Sequence, residues 1–263
     1  MRQSILFFDI DGTLLSDKTG KIPDSALEAL AEAKKNGHLL FINTGRTVCA
    51  LPKELYQFEF DGYLCGCGSY LLFHEEVLLE SHIEEACGQK YIEQMRECGL
   101  DGVLEGTEDL YFPKKVSRFE KLEQGRHYFG QLGLGKKKHI EEGGFLYDKI
   151  FVYADEQSEK ERFFRLMEDA FAVIDRGENT YELTQKAFSM ATACEFLVKK
   201  FGLNKDQVYV FGDSMNDLSM FEYASHTIAM GNHAPGLEPY TEFVTKTVED
   251  GGIAWAMKHY GLI

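Results

Sequence analysis

The stretch at residues 5–21 has the sequence ILFFDIDGTLLSDKTGK. Its four apolar residues, 5–8, form an uninterrupted run that is typical of a strand buried in a parallel sheet. Asp9 and Asp11 follow at once, and because they flank a single residue, their side chains point to the same side of an extended segment. Gly12 then permits a sharp turn. The stretch therefore predicts a buried strand that ends in two carboxylates.

Short apolar runs alternate with helical patterns over the first 80 residues, as they do in parallel strand-helix-strand units. The segment PDSALEALAEAKKNG, 23–37, predicts a helix between the strands ILFF and HLLFI. Residues 47–57 predict a short helix, and GYLC a third strand that leads into the hairpin YLLF and EVLLE. From residue 186 the same alternation resumes, with VYVFGD, 208–213, as a further strand.

The pattern differs between residues 82 and 184, where longer charged helices alternate with strands such as DGVLEG and TYELT. We interpret this region as an inserted domain. The sequence thus predicts an α/β fold: a doubly wound, parallel, Rossmann-like core of residues 1–81 and 185–263, with an inserted α/β cap of residues 82–184.

Composition restricts the partners. The 263-residue chain carries a net charge of −15, which disfavours nucleic acid and anionic membranes. No apolar run approaches the roughly 20 residues of a membrane span, so we expect a cytoplasmic protein. The six cysteines lack the spacing of a zinc site, and we expect reduced thiols. A phosphorylated substrate would need a local cation to overcome the negative field.

Polar residues follow four of the predicted strands, in DIDGT, NTGRT, CGCG and GDSMND. The carboxyl ends of parallel strands open onto one crevice, so these segments are expected to be neighbours. Asp9, Asp11, Asp213 and Asp217 would then form an acidic cluster that a hard cation such as Mg²⁺ would stabilise. The alternative for each single motif is that Asp and Gly serve only as turn residues.

The motifs FFDIDGTLL, NTGRT and GDSMNDLSMF, in this order and with about a hundred residues inserted before the last, resemble those of the haloacid dehalogenase superfamily, specifically its Cof-type phosphatases. The resemblance covers nearly the whole chain, including AMGN and EDGGIAWAM. It implies a phosphoric monoester hydrolase that uses Mg²⁺ and an aspartyl-phosphate intermediate. The substrate would be a small phosphate ester, such as a sugar phosphate or a phosphorylated cofactor, and the protein a monomer or weak homodimer.

The resemblance also assigns roles to residues. Asp9 would be the nucleophile and Asp11 the general acid and base. The metal set would be Asp9, Asp11 (through its backbone carbonyl), Asp213 and Asp217, with Asp217 in a supporting role. The phosphate would be held by Ile10, Thr44, Gly45 and Asn216.

Two positions depart from the family pattern. Met190 stands where family members carry a lysine at the start of the helix after the insertion, and Cys67 stands where asparagine is usual. Lys186 is a candidate replacement phosphate ligand, although it lies four residues earlier. Two alternatives to an active phosphatase stay open: a catalytically weakened relative that binds a phosphorylated ligand, and a phosphomutase or phosphotransferase on the same scaffold.

Asp17 begins DKTGK, which resembles the phosphorylated DKTGT motif of P-type ATPases. In those relatives the aspartate directly follows a buried strand, whereas Asp17 lies eight residues beyond Asp9. We therefore interpret Asp17 as a loop residue outside the site.

Overall fold

The computed structural model describes residues 2–263, which divide into two compact units. The first unit contains the chain up to Gly45, Pro52–Leu79 and Ser189–Ile263. The second contains Arg46–Leu51 and Glu80–Phe188. The predicted bounds, 1–81 with 185–263 and 82–184, differ from these by a few residues and by the segment Arg46–Leu51.

The chain begins with a strand-helix-strand unit and a hairpin. Its elements are β1 (Ile5–Phe8), α1 (Asp24–Lys35), β2 (Leu39–Asn43), β3 (Gly62–Cys65), β4 (Tyr70–Phe73) and β5 (Glu76–Glu80). All four residues of β1 are buried, as the apolar run predicts. α1 has an acidic residue in its first turn and two lysines in its last, which suits the helix dipole, and it buries one face through Ala26, Ala29, Leu30 and Ala33.

The second unit is built on an antiparallel sheet. Its elements are α2 (Glu85–Glu97), β6 (Asp101–Glu105), β7 (Leu110–Tyr111), α3 (Glu120–Gln131), β8 (Lys149–Tyr153), α4 (Lys160–Met167), β9 (Phe171–Asp175) and β10 (Thr180–Gln185). The strand order is β7-β6-β8-β10-β9. Ile150 and Val152 of β8 belong to a core cluster together with Ile92 of α2 and Phe163 of α4, so these helices cover one face of the sheet.

The last third of the chain returns to the first unit. Its elements are α5 (Met190–Lys200), β11 (Val208–Gly212), α6 (Leu218–Tyr223), β12 (His226–Ala229), β13 (Phe243–Val244) and α7 (Gly252–His259). They complete an eight-stranded sheet of order β13-β12-β11-β1-β2-β3-β4-β5, in which the pairs from β13 to β3 are parallel. The predicted α/β fold with a mostly parallel sheet is therefore confirmed.

One predicted element is different. Residues 47–57 do not form one helix but two short 3₁₀ helices, Val48–Ala50 and Lys53–Gln57. Pro52 lies between them and disfavours a helical conformation at the residue before it, and Leu51 is extended with φ −65° and ψ 130°. Among residues 2–263, no helix is both long enough and apolar enough to cross a bilayer.

Candidate active site

The three central strands of the first unit end side by side. Phe8 at the end of β1 is paired with Phe211 of β11 and with Ile42 of β2. Both pairings are parallel, so the residues that follow these strands emerge at the same edge of the sheet. Asp9 continues the β1–β11 ladder by one bond, since its N–H donates to the carbonyl of Phe211 at 3.0 Å.

Three carboxylates meet at this edge. Asp9, Asp213 and Asp217 each contribute one oxygen to a group whose members all lie within 4.8 Å of one another. Burial raises the pKa of Asp9 well above its usual range, and the charges of Asp217, Asp213 and Asp11 raise it further. Burial, followed by the charge of Asp217, raises the pKa of Asp213 to about 7. Such mutual repulsion between closely spaced carboxylates, two of them buried and Asp213 half-buried, fits the binding of a hard divalent cation.

Asp217 is held by the turn that follows β11. Its Oδ2 accepts hydrogen bonds from the backbone N–H groups of Asp213 and Ser214, both at 2.9 Å. The carboxylate packs so closely on Gly212 that a Cβ there would lie 2.6 Å from Oδ2. Asn216, in the same turn, accepts a hydrogen bond from the Ser214 hydroxyl. The segment GDSMND thus fixes one carboxylate and presents Asn216 beside it.

Gly12 and Thr13 position Asp213 from the β1 side. Gly12 has φ +75°, and a Cβ on it would lie 2.5 Å from Oδ2 of Asp213. The Thr13 hydroxyl lies 3.4 Å from the other carboxylate oxygen, Oδ1, to which it donates. Only glycine lets Asp213 approach the turn this closely. The glycine of the DGT segment is therefore needed for the carboxylate of Asp213 to pack against this turn.

Asp11 and Ile10 complete the turn after β1. The backbone N–H of Ile10 hydrogen-bonds to the carboxylate of Asp9, which partly offsets the rise in its pKa. Asp11 is exposed, and its charge contributes to the raised pKa of both Asp9 and Asp213. Its side chain does not belong to the three-carboxylate group in the part of the chain that the structure describes.

Thr44 and Gly45 follow β2 at the same edge of the sheet. Thr44 is buried, its N–H donates to the Leu64 carbonyl at 2.9 Å, and its carbonyl accepts from the N–H of Cys67 at 3.1 Å. Cys67 has φ 55° and ψ 39°, the left-handed conformation that asparagine tolerates better than cysteine. The asparagine usual in the family would therefore suit this backbone.

Comparison with known proteins agrees with the motifs. A family model described as haloacid dehalogenase-like hydrolase matches residues 6–257. The chain belongs to this hydrolase family. The resemblance noted in the sequence is thereby confirmed, and this haloacid dehalogenase-like hydrolase is similar over its whole length to several curated proteins and solved structures.

Two Bacillus subtilis (strain 168) proteins illustrate the similarity. The putative phosphatase YkrA is 26% identical over 268 residues, covering 100% of each chain. The 5-amino-6-(5-phospho-D-ribitylamino)uracil phosphatase YwtE is 25% identical over 270 residues, covering 94% of each. Among solved structures, the HAD subclass IIB sugar phosphatase BT4131 superposes with a TM-score of 0.84 at 25% identity, covering 99% of this chain and 100% of that one.

In the register proposed from the sequence, Met190 stands at the position where the family pattern leads us to expect a lysine. Met190 is the first residue of α5, as the register predicts, but its side chain is buried in the core cluster that contains Cys194 and Met220. Lys186 belongs to the second unit, and its ammonium group donates to the Glu168 carbonyl at 2.9 Å. It is therefore not among the residues that the first unit brings together.

Asp17 lies closer to the site than the sequence suggests. It lines a cavity of about 630 Å³ in the first unit together with Asp213, and its charge helps to raise the pKa of Asp213. The loop that carries it is fixed by Ser16, whose hydroxyl donates to Glu249 at 2.6 Å, and Lys18 lies 3.7 Å from the same carboxylate. Asp17 is a loop residue, but it borders the carboxylate group rather than lying outside it.

Proposed function

We propose that this hydrolase is a magnesium-dependent phosphatase that hydrolyses small phosphorylated metabolites through a phosphorylated Asp9. The observation that carries the proposal is the group formed by Asp9, Asp213 and Asp217, whose oxygens lie within 4.8 Å at the ends of adjacent parallel strands. The phosphatase names of its full-length relatives support the same reaction.

The metal would be held by the carboxylates of Asp9 and Asp213 and by the backbone carbonyl of Asp11, with Asp217 in support. When bound, Mg²⁺ supplies positive charge that offsets both the carboxylate repulsion and the charge of the phosphoryl oxygens. Asp9 has to be ionised to act as a nucleophile, and without a cation its raised pKa opposes ionisation. Metal binding and nucleophile activation are thus expected to be linked.

In the first chemical step, an Asp9 carboxylate oxygen attacks phosphorus, and the bond between phosphorus and the leaving oxygen breaks. Asp11 gives its proton to that oxygen. In the second step, Asp11 takes a proton from water, the water oxygen attacks the phosphorus, and the bond to Asp9 breaks to release inorganic phosphate. The exposure of Asp11 is consistent with a group that exchanges protons with substrate and water.

The phosphate would be held by polar groups from the ends of three strands. The candidates are the N–H of Ile10 after β1, Thr44 and Gly45 after β2, and Asn216 after β11. Backbone and side-chain donors of this kind stabilise a charged transition state when they are fixed in advance. Lys186 stays a prediction for this role, and the hydrogen bond from its ammonium group to the Glu168 carbonyl uses one of three N–H donors.

The substrate class rests on the relatives. YwtE is named for a ribitylaminouracil phosphate and BT4131 for sugar phosphates, both of which carry a phosphate on a polyol or sugar. We infer that the ester hydrolysed here is a phosphorylated sugar, polyol or cofactor. The net charge of −15 opposes larger polyanions.

The burial of Met190 favours one second candidate, a catalytically weakened relative that binds a phosphorylated ligand. A panel of sugar, polyol and cofactor phosphates, assayed with Mg²⁺ for phosphate release and for binding, separates the possibilities. Release by the wild type but not by Asp9→Asn supports the phosphatase. Binding without release supports the weakened relative, and an isomerised sugar phosphate would indicate a phosphomutase.

A further inference from the structure

The cavity of about 630 Å³ beside Asp213 has a lining to which the chemistry proposed above gives no role. Besides Asp213, three carboxylates line it, those of Asp17, Glu238 and Glu249, and all of its lining residues belong to the first unit. A water molecule in the liquid occupies about 30 Å³, so the cavity has room for several waters. Since Mg²⁺ usually keeps several of its waters when it binds to a protein, hydrated space next to Asp213 suits this ion.

Asp17 is carried to the cavity by a loop that hydrogen bonds hold in place. The Ser16 hydroxyl accepts hydrogen bonds from the backbone N–H groups of Lys18 at 3.2 Å and Thr19 at 3.1 Å. The same hydroxyl donates to Glu249 at 2.6 Å, across the cavity lining. The position of Asp17 therefore does not depend on bonds made by its own side chain.

Asp17 differs from Glu238 and Glu249 because its carboxylate has no partner. Glu249 lies 3.7 Å from the ammonium group of Lys18, and Glu238 lies 4.0 Å from the ring nitrogen Nε2 of His233. Between residues 2 and 263, the exposed carboxylate of Asp17 makes no hydrogen bond and no ion pair. Its negative charge is therefore not offset by a paired cation.

The charge of Asp17 acts on the carboxylate group described above. Burial raises the pKa of Asp213 most, followed by the charge of Asp217 and then by that of Asp17. An anion that opposes the ionisation of a neighbouring carboxylate also attracts a cation held by that carboxylate, because the same electrostatic potential acts on both. Asp17 does not belong to the group of Asp9, Asp213 and Asp217 whose oxygens lie within 4.8 Å of one another. Its effect on a cation is therefore expected to act at a distance.

We propose that Asp17 strengthens the binding of Mg²⁺ to Asp9, Asp213 and Asp217 across this cavity, as a charge that does not itself coordinate the ion. The proposal rests on the function proposed above, because it requires that these three carboxylates bind Mg²⁺. A dication is attracted to an unpaired carboxylate even through water, and salt weakens this attraction because mobile ions screen it. Asp17 then sets the affinity for the metal and takes no part in the chemistry at phosphorus.

The test is isothermal titration calorimetry of the whole metal-free protein with MgCl₂, in the absence of substrate. Asp17→Asn removes one charge and keeps the size of the side chain, and we expect it to weaken Mg²⁺ binding about threefold at an ionic strength of about 0.01 M. In about 1 M KCl, where the screening length is about 3 Å, the dissociation constants of variant and wild type should differ by less than about 1.5-fold. A purely structural role of Asp17 would not produce this dependence on salt.

Two matched variants separate the charge of Asp17 from other effects. Asp17→Glu keeps the charge, and its Mg²⁺ affinity should stay within about 1.5-fold of the wild type at both salt concentrations. Glu28→Gln makes the same change in net charge at an exposed position of α1 that does not line the cavity, and it should leave the affinity unchanged.

The outcomes distinguish this proposal from the function on which it rests. Unchanged affinity in Asp17→Asn, an equal loss in Glu28→Gln, or a loss in Asp17→Asn that persists in the high-salt buffer would each overturn the role of Asp17 and leave the proposed function intact. Failure of the wild type to bind Mg²⁺ would overturn both.

Discussion

Replacing Gly12 by alanine should disable the site by moving one carboxylate. The new Cβ would lie 2.5 Å from Oδ2 and 2.8 Å from Cγ of Asp213, whereas ordinary contacts begin at 3.4 Å. Asp213 therefore has to retreat by about 0.9 Å. A displacement of about 1 Å at a reacting centre can reduce turnover about 10²-fold, equivalent to nearly 3 kcal/mol in the barrier.

The backbone contributes a separate cost. At φ +75°, an alanine in place of Gly12 adds about 1 to 2 kcal/mol of strain, which lowers the melting temperature without affecting chemistry. Gly20→Ala is the matched control, because Gly20 has φ +63° and no atom within 4 Å of its would-be Cβ. The Gly20→Ala variant should have about the same backbone strain as Gly12→Ala, but it should keep the activity of the wild type.

The assay is phosphate release from p-nitrophenyl phosphate, or from any ester that the wild type hydrolyses, over a range of Mg²⁺ concentrations. We expect Gly12→Ala to show lower turnover and to need more Mg²⁺ for half-maximal activity. Wild-type turnover in a folded Gly12→Ala variant would show that the position of Asp213 does not limit catalysis. An equal loss in Gly20→Ala would show that strain in the loop, and not the displacement of Asp213, is responsible.

Asp9→Asn should abolish phosphate release and keep the melting temperature or raise it, since it relieves repulsion; release at the wild-type rate would identify another nucleophile. Met190→Lys should lower stability by several kcal/mol, measured by denaturant unfolding, because it buries a cation, whereas Met190→Leu should cost less than about 1.5 kcal/mol. The pKa of Asp213 is raised from 3.8 to about 7, so the metal-free protein should lose stability as pH rises across that interval. Mg²⁺ should therefore raise the melting temperature more at about pH 8 than at about pH 5. An equal effect of Mg²⁺ at both pH values would contradict this prediction.

The parts of the fold that could be predicted are those with a strong local signal. β1 is an unbroken apolar run, and α1 has helical periodicity with charges that suit both ends, so their types and approximate bounds agree with the structure. The two-residue strands β7 and β13 were missed because such short segments have no periodicity to detect. Their positions depend on pairing with β6 and β12.

The site could be predicted where residues directly follow strands, because the parallel sheet itself brings Asp9, Asp213 and Asp217 together. The position of Asp17 could not be predicted, because its loop is fixed by a hydrogen bond between Ser16 and Glu249, which lie 233 positions apart in the sequence. The register placed Met190 correctly at the start of α5. Whether its side chain points to solvent or into the core depends on packing that no local pattern encodes.

The grouping of Arg46–Leu51 with the second unit has a consequence for dissecting this protein. Cys49 packs against the cluster of Val103, Leu110, Phe112 and Leu122, and its thiol lies 3.2 Å from the Gly106 carbonyl. A fragment of residues 80–188 expressed alone would leave this apolar cluster partly uncovered. Exchange of the inserted region between relatives would likewise have to include the hexapeptide from Arg46 to Leu51. A chimaera joined only at residues 80 and 188 would pair the hexapeptide of one protein with the apolar cluster of another.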